Sequence, residues 1–464
     1  MKKGVIIFWS ILVVTAGARL TFSFYQRRPD IGPCLKSVVS GIGNISQDPE
    51  LKETGQVLTI SVEDMHIDTA GIVSAVGIVS AAKCPNDLNI RAKAKLYPRF
   101  VYGDKVNFSG KLTAPFDFRG DDGRSFDYRG YLAKDDVYYE IKSANVTTVS
   151  TSSKGISISS ILFSIKRGFV ANLGRVLGEP YAALASGLAV GDKTSLGPQL
   201  LQDFRNVGLI HIVVLSGFSM AIIVDALRRS LSFLPRVASI IVGMVTIILF
   251  AISVGAGVTV VRACSMASLA LFADLSRRDY NVVRALIFVG LIMLIQNPLI
   301  LLHDPAFDIT FAATSGLILL GPSIRKRLGW IPEKFDLRGA VAATLATQIF
   351  VSPLTVYMMG QFSLIGVFAN ILVLPFIPLT MLAIFLTGVT GFLPTIFMAP
   401  ILAIISRVFG WGAHLLLAYE LFIVQNCARV PFASLHVPQF SGWFVVAFYA
   451  IFVGVYWYRR TGSS

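Results

Sequence analysis

Histidine is scarce in this sequence, and the five present (His66, His211, His303, His414 and His436) are scattered. No HExxH pair occurs and no two histidines stand at ligand spacing, so a zincin or a paired-His metal centre is excluded. A Walker P-loop and a Rossmann glycine fingerprint are missing too. Neither nucleotide hydrolysis nor a bound metal or cofactor is therefore expected. Acid is the scarcer charge, with 27 Asp+Glu against 41 Lys+Arg and a formal net charge of +14. Residues 27–154 hold 17 basic and 16 acidic residues, so the basic excess falls outside that stretch. Arg and Lys flanking helices on the inner side of a membrane would account for it, and this is the simpler reading. A basic route for a polyanion such as nucleic acid would account for it as well.

What is abundant is hydrocarbon. Hydrophobic residues make up 54% of the chain and mean hydropathy is +0.67, too apolar for a soluble protein of this size. Several runs reach the roughly 20 residues a bilayer requires. Alternating ten-residue segments of the barrel type are lacking, so the class is a polytopic α-helical membrane protein.

Three regions follow. Residues 1–26 read as a retained N-terminal transmembrane anchor, with Lys2 and Lys3 before an apolar run that is long for a signal peptide. Its N-terminus is expected inside, which puts the following region outside the cytoplasm.

Residues 27–157 read as an all-β domain. Leu88, Ile90, Ala92, Ala94 and Leu96 alternate with polar residues at the period of a half-buried strand. Residues 56–62, 105–112 and 137–141 supply further strands, and five or six short strands suggest a small barrel or sandwich. Cys34 and Cys84 both lie here. A disulfide between them, closing a 51-residue loop worth roughly 4 kcal/mol in the chain-entropy model, and two buried thiols are both compatible with the sequence. Phe100, Tyr102, Tyr128 and Tyr131 are candidates for stacking on bases or for the domain core.

Residues 158–464 are the polytopic region. An amphipathic stretch at 161–177 has the pattern of a helix lying at the headgroups, and 181–190 is short and small-residue-rich, suited to close helix packing. Spans are expected at 208–227, 236–254, 258–275, 282–301, 306–322, 339–358, 364–388, 393–423 and 441–458, about 9–10 transmembrane helices with the anchor. Arg228-Arg229, Arg277-Arg278, Arg325-Lys326-Arg327 and Arg459-Arg460 then share one side.

The centre of the chain is residues 191–224, GDKTSLGPQLLQDFRNVGLIHIVVLSGFSMAIIV. His211, Ser216 and Gly217 mark the point where polar helix gives way to apolar span. His211 and Ser216 are five apart, which separates them by about 140° on a continuous helix. LSGFS also lacks the first glycine of a GxSxG elbow, which argues against a hydrolase. Ser216-Gly217 instead permits a break or close packing. Ionisable residues at membrane depth are costly and so are functional candidates. Arg262, in GVTVVRAC, and Asp308, in HDPAFDITF, are the foremost of these. Asp304 is placed to cap a helix, while Asp225, Asp274 and Arg284 stand near span ends where neighbouring charges pair. Asn370, Pro375 and Pro378 interrupt apolar sequence, as broken or kinked helices do.

At these residues the chain resembles the ComEC family of competence proteins. The pattern Gly191-Asp192-Lys193, then Phe204, Gly208, His211 and Ser216-Gly217, is similar to that family's core block. TVVRACSMA, NPLILLHDPAFDITFAATSGLIL and ATQIFVSPLTVYMMGQFSLIGVFANILVLPFIPL resemble three further blocks in collinear order. YGDKVNFSGKLTAP and FDYRGYLAKDDV resemble its extracellular OB-fold domain. Ser219 stands where a second histidine is common, FDITF where Phe-Gln-Leu-Ser-Phe is common, and the HxHxDH of a metallo-β-lactamase-like nuclease domain is absent.

The resemblance implies an inner-membrane, multi-pass channel importing single-stranded DNA during natural transformation, not an enzyme. Its N- and C-termini would be cytoplasmic and its OB-like domain extracytoplasmic. It implies a DNA path along His211, Ser216, Gly217, Arg262, Asp308 and Asn370. It also implies membrane lipid around the protein and, as partners, a DNA receptor, a helicase-like ATPase and a separate nuclease; a homo-oligomer is left open. A transporter or flippase of another anionic polymer or lipid is the alternative, with an intramembrane hydrolase behind it.

Overall fold

The structure, a computed structural model, describes residues 2–25, 31–52, 54–67, 84–120, 123–150, 157–192, 194–213, 217–333, 337–397 and 400–461. Helix α1 (Lys2–Tyr25) leads into five principal strands: β1 (Val38–Ile45), β2 (Gly55–Ile67), β3 (Asn89–Ala94), β4 (Lys105–Thr113) and β5 (Val137–Ile141). They pair in the order β1-β2-β3-β5-β4, and β4 returns to β1 through pairs such as Gly41 with Phe108. The sheet therefore closes on itself, which removes its edges. Only the β3–β5 pairing is parallel, with Ile90 opposite Tyr139. This is the five-stranded, OB-like barrel that the alternating segments implied.

Alternation sends Leu58, Ile60, Ile90, Phe108 and Ile141 into one core, and β1 shows the period most cleanly. At Gly41, a Cβ would lie 2.3 Å from the Asp64 carbonyl oxygen, so strands cross there only because a side chain is missing. Cys34 and Cys84, both buried in this core, form a disulfide. The thiol alternative is thereby removed. A short strand, β6 (Asn145–Ser150), extends β4, and α2 (Tyr128–Ala133) precedes β5.

The helical region follows with α3 (Ile158–Leu177), α4 (Tyr181–Val190), α5 (Gly197–Asn206), α6 (Ile210–Val213), α7 (Gly217–Ser230), α8 (Arg236–Ser253), α9 (Val258–Leu275) and α10 (Val282–Gln296). It continues with α11 (Ile300–His303), α12 (Pro305–Arg327), α13 (Leu337–Met359), α14 (Gly366–Val373), α15 (Ile377–Phe397), α16 (Pro400–Arg429) and α17 (Trp443–Thr461). Among the described residues, five helices are long and apolar enough to cross a membrane: α8, α9, α12, α13 and α16. A sixth span is added if α14 and α15, bent by 52° across 374–376, count as one. The polytopic helical class holds; beside these spans, the shorter apolar stretches among the described residues are α10, Ser10–Phe22 of α1 and Trp443–Phe452 of α17.

Two packing centres organise the bundle. One gathers α3–α6 and α14–α16, with Leu173, Leu184, Phe204, Ala369 and Leu417 in its interior. α3 is thus packed along α15 and α16 rather than lying only at headgroups, and Phe169 sits directly on Gly388. The other gathers α7, α8 and α9 around Met220, Ile247 and Cys264. Ile223 of α7 touches both, so the segment 210–230 is the seam between them.

The barrel docks on one end of this bundle. Arg124 donates to the carbonyl oxygens of Val356, Tyr357 and Val437 at 3.2, 3.2 and 2.7 Å. Asn297 Nδ2 donates to the Lys134 carbonyl at 2.6 Å, and Lys134 Nζ pairs with Asp304 Oδ2 at 3.2 Å. Lys166 of α3 reaches Asp48 at 3.0 Å.

Candidate functional site

In the GDK…H block two helices end at glycine. Gly191 ends α4 in the left-handed region (φ 71°), its N–H reaching the Gly187 carbonyl. At the end of α5, Gly208 N donates to Arg205 O and Leu209 N to Phe204 O at 3.0 and 2.8 Å. This is the paired stop that a glycine at φ 74° permits, and Phe204 and Leu209 bury together beneath it. Motif glycines and Phe204 are thus explained by how α5 ends. Lys193 and Ser216 lie outside the described residues.

Helix is described up to Val213 and again from Gly217, and the angle between His211 and Ser216 lies outside the described residues. His211 lies on α6 with Nδ1 3.1 Å from the Gly208 carbonyl oxygen. The residue is exposed.

Two of the other blocks meet this segment. A Cβ on Gly208 would lie 3.0 Å from Ser363 Cβ and 3.6 Å from Gly366 Cα. The start of α14 is pressed against the end of α5 in this way. Asn370, one turn further on, is 3% exposed and its Oδ1 has no hydrogen-bond partner. On the other flank, Arg262 of α9 reaches the beginning of α7, where its Nη2 would be 3.2 Å from a Cβ on Gly217. Arg262 is 6% exposed. Its Nη1 donates to Thr314 Oγ1 at 2.7 Å and touches Met266 Sδ at 3.8 Å, and the guanidinium lies 5.9 Å from the Phe311 ring centroid. Nε has no partner, and no carboxylate lies within ion-pair distance among the described residues. Burying a charge without a counter-charge costs several kcal/mol, so such a cation marks a functional place in a membrane bundle.

Asp308 does not join it. It stands about 9 Å along the α12 axis from Thr314, on a different face, within electrostatic reach of Asp304 and Tyr449. The expected path residues therefore fall into two contacts and an outlier: His211 beside Gly208, against which the start of Asn370's helix is pressed; Gly217 with Arg262; and Asp308 near the barrel junction. Asp304 caps α12 as expected, accepting from Ala306 N at 2.9 Å, and its second oxygen holds Lys134. Burial lowers the Lys134 pKa, but Asp135, Tyr131 and Asp304 outweigh it, so the ammonium ends above the ordinary lysine value.

The four barrel aromatics are packing groups. Phe100 is in the barrel core, Tyr102 lies 5.2 Å from the Phe163 ring of α3, Tyr128 rests on Phe118, and Tyr131 on Phe126 beneath Lys134. Among the described residues Tyr97, Phe116, Phe118 and Phe126 are the exposed ones. Sequence reading also passed over Glu420, 2% exposed in α16, whose Oε1 accepts from Thr380 Oγ1 at 2.6 Å. An acid inside a 30-residue apolar helix was the available signal. Among the described residues, no group of three His, Cys, Asp or Glu side chains is placed to hold a metal ion.

Residues 188–461, from the end of α4 to α17, match the family described as Competence protein. The chain belongs to the competence protein family. It is similar to ComE operon protein 3 of Bacillus subtilis (strain 168), with 24% identity over 309 residues, 66% of this chain and 38% of that protein. The match thus spans well under half of that relative's length. No solved structure matches. The competence region contains the motif and the expected path residues, from Gly191 to Asn370, and leaves the barrel outside.

Proposed function

We propose that this competence-family protein is the inner-membrane passage for single-stranded DNA during natural transformation, and that it works without catalysing a reaction. Residues 1–26 anchor it, 27–157 form the extracytoplasmic OB-like domain, and 158–464 form the passage, with both termini cytoplasmic. The observation that carries this reading is Arg262, a buried guanidinium with no carboxylate partner among the described residues, held against Gly217 of α7. A phosphodiester backbone crossing a bilayer needs a cation on its way and release afterwards, and one arginine without a dense basic lining provides both. His211, on α6 in the same motif, adds a donor. The barrel, nearly neutral in sequence, guides the strand by contact more than by charge. A DNA receptor delivers the strand, a helicase-like ATPase draws it inward, and a separate nuclease removes its complement.

The test is uptake of labelled duplex DNA by the source cell with the gene intact, deleted, or carrying Arg262→Gln. Label bound outside but never nuclease-protected in the cytoplasm of the deletion strain supports the reading. Equal protected label in intact and deletion strains refutes it.

A further inference from the structure

On the bundle end turned away from the barrel, α7, α8 and α9 enclose a cleft of 370 Å³. Its position follows from α10. The C-terminal end of that helix is tied to the barrel through Asn297, so its start, and the end of α9 just before it, lie about 22 Å away. The cleft is thus at the level where helix ends meet the opposite headgroup layer.

Its floor is apolar, built by Leu227, Leu231, Ile240 and Leu271. Its mouth carries a three-charge clamp. Asp274 Oδ2 accepts from Arg228 Nη2 at 2.8 Å and Oδ1 from Arg236 Nη2 at 2.6 Å, while the Asp274 carbonyl also accepts from Arg236 at 2.9 Å. One carboxylate therefore holds two guanidiniums side by side and leaves one positive charge over. Among the described residues their remaining N–H groups have no protein partner, and both side chains are more than half exposed, at 52% and 57%. Arg229 next to them is already matched by Asp225 at 2.9 Å. Val237 and Ile241 of α8 and Phe272 of α9, each next in sequence to a residue lining the cleft, are exposed apolar side chains.

We propose that this cleft binds an anionic phospholipid, its phosphate taken by Arg228 and Arg236 and its glycerol and first acyl carbons resting on the apolar floor. Guanidinium forks match phosphate oxygens in pairs, and basic clefts between helix ends at the headgroup level suit anionic lipid. A free phosphate would leave the floor unused. The site does not depend on the DNA reading.

Native mass spectrometry of the full chain, released from detergent with phosphatidylglycerol or phosphatidylcholine, tests it. Retention of phosphatidylglycerol several-fold above phosphatidylcholine is expected, and loss of that preference in Arg228→Gln/Arg236→Gln. Asp274→Asn is expected to raise phosphatidylglycerol retention, because it frees the donors that the carboxylate occupies. Equal retention of the two lipids by the unaltered protein overturns the proposal, as does a drop in folded Asp274→Asn. Displacement of the lipid by an equal concentration of inorganic phosphate overturns the lipid assignment in favour of a bare anion. If Asp274→Asn does not fold, Arg228→Gln alone, which keeps the Arg236–Asp274 pair, must still lower the preference.

Discussion

Arg262 Nη2 lies 3.2 Å from the point where a Cβ on Gly217 would sit. Two residues 45 positions apart in the sequence are in this way parts of one feature, a helix start with a buried cation laid against it. Glycine is what allows the approach, and Thr314 of α12 holds the guanidinium from the other side. Three helices, α7, α9 and α12, therefore converge on this guanidinium.

Removing the charge should stop transport without unfolding the bundle. Arg262→Gln keeps a donor for Thr314 but no cation, and protected cytoplasmic label should fall about tenfold or more while membrane levels of the protein are unchanged. Arg262→Lys should be intermediate, since a compact ammonium keeps charge and loses the fork. Immunoblotting of membranes beside the uptake assay reads both quantities.

Adding a methyl group at the glycines separates architecture from passage. Gly208→Ala meets Ser363 at 3.0 Å in a left-handed backbone and should cost about 1–3 kcal/mol. A lower Tm of the detergent-solubilised protein would register it. Gly217→Ala meets only the guanidinium, so it should leave Tm nearly unchanged and depress uptake by moving Arg262.

The Cys34–Cys84 bridge should stabilise the barrel by about 2–5 kcal/mol. Cys34→Ser and Cys84→Ser should then lower barrel stability equally, and the double variant no further. Proteolysis of the barrel with and without reductant is the measurement, and resistance unaffected by reductant would contradict it.

The junction between barrel and bundle rests on a pair that tolerates no half-removal. Lys134 and Asp304 are 10% and 5% exposed, so Lys134→Ala should cost about 3–5 kcal/mol by leaving a buried carboxylate alone. Lys134→Met with Asp304→Asn should recover much of that in thermal unfolding. The Lys134 pKa is raised on folding, so this contribution is full below the ordinary lysine value. It is lost only as pH climbs through the higher folded value, in the alkaline range.

The barrel strands were legible because alternation at Leu88–Leu96 is a local consequence of burying one face of a sheet. Asp304 as a cap was legible for a similar reason, since it answers to Ala306 two residues on. Bends within spans were not legible because hydropathy registers composition, whereas a break such as 374–376 changes direction without changing composition. Glu420 and Thr314 were overlooked because one acid or one threonine in apolar sequence has no period to announce it.

By itself the sequence determined that this chain is a helical membrane protein with an alternating β domain. That follows from the transfer of apolar surface out of water and from backbone sterics, which act over a few neighbouring residues. Only the tertiary structure decided that Arg262 meets Gly217 and not Asp308, and that Lys134 rather than a solvated partner balances Asp304. Contacts between distant segments depend on which helices pack together, and no local pattern specifies that choice.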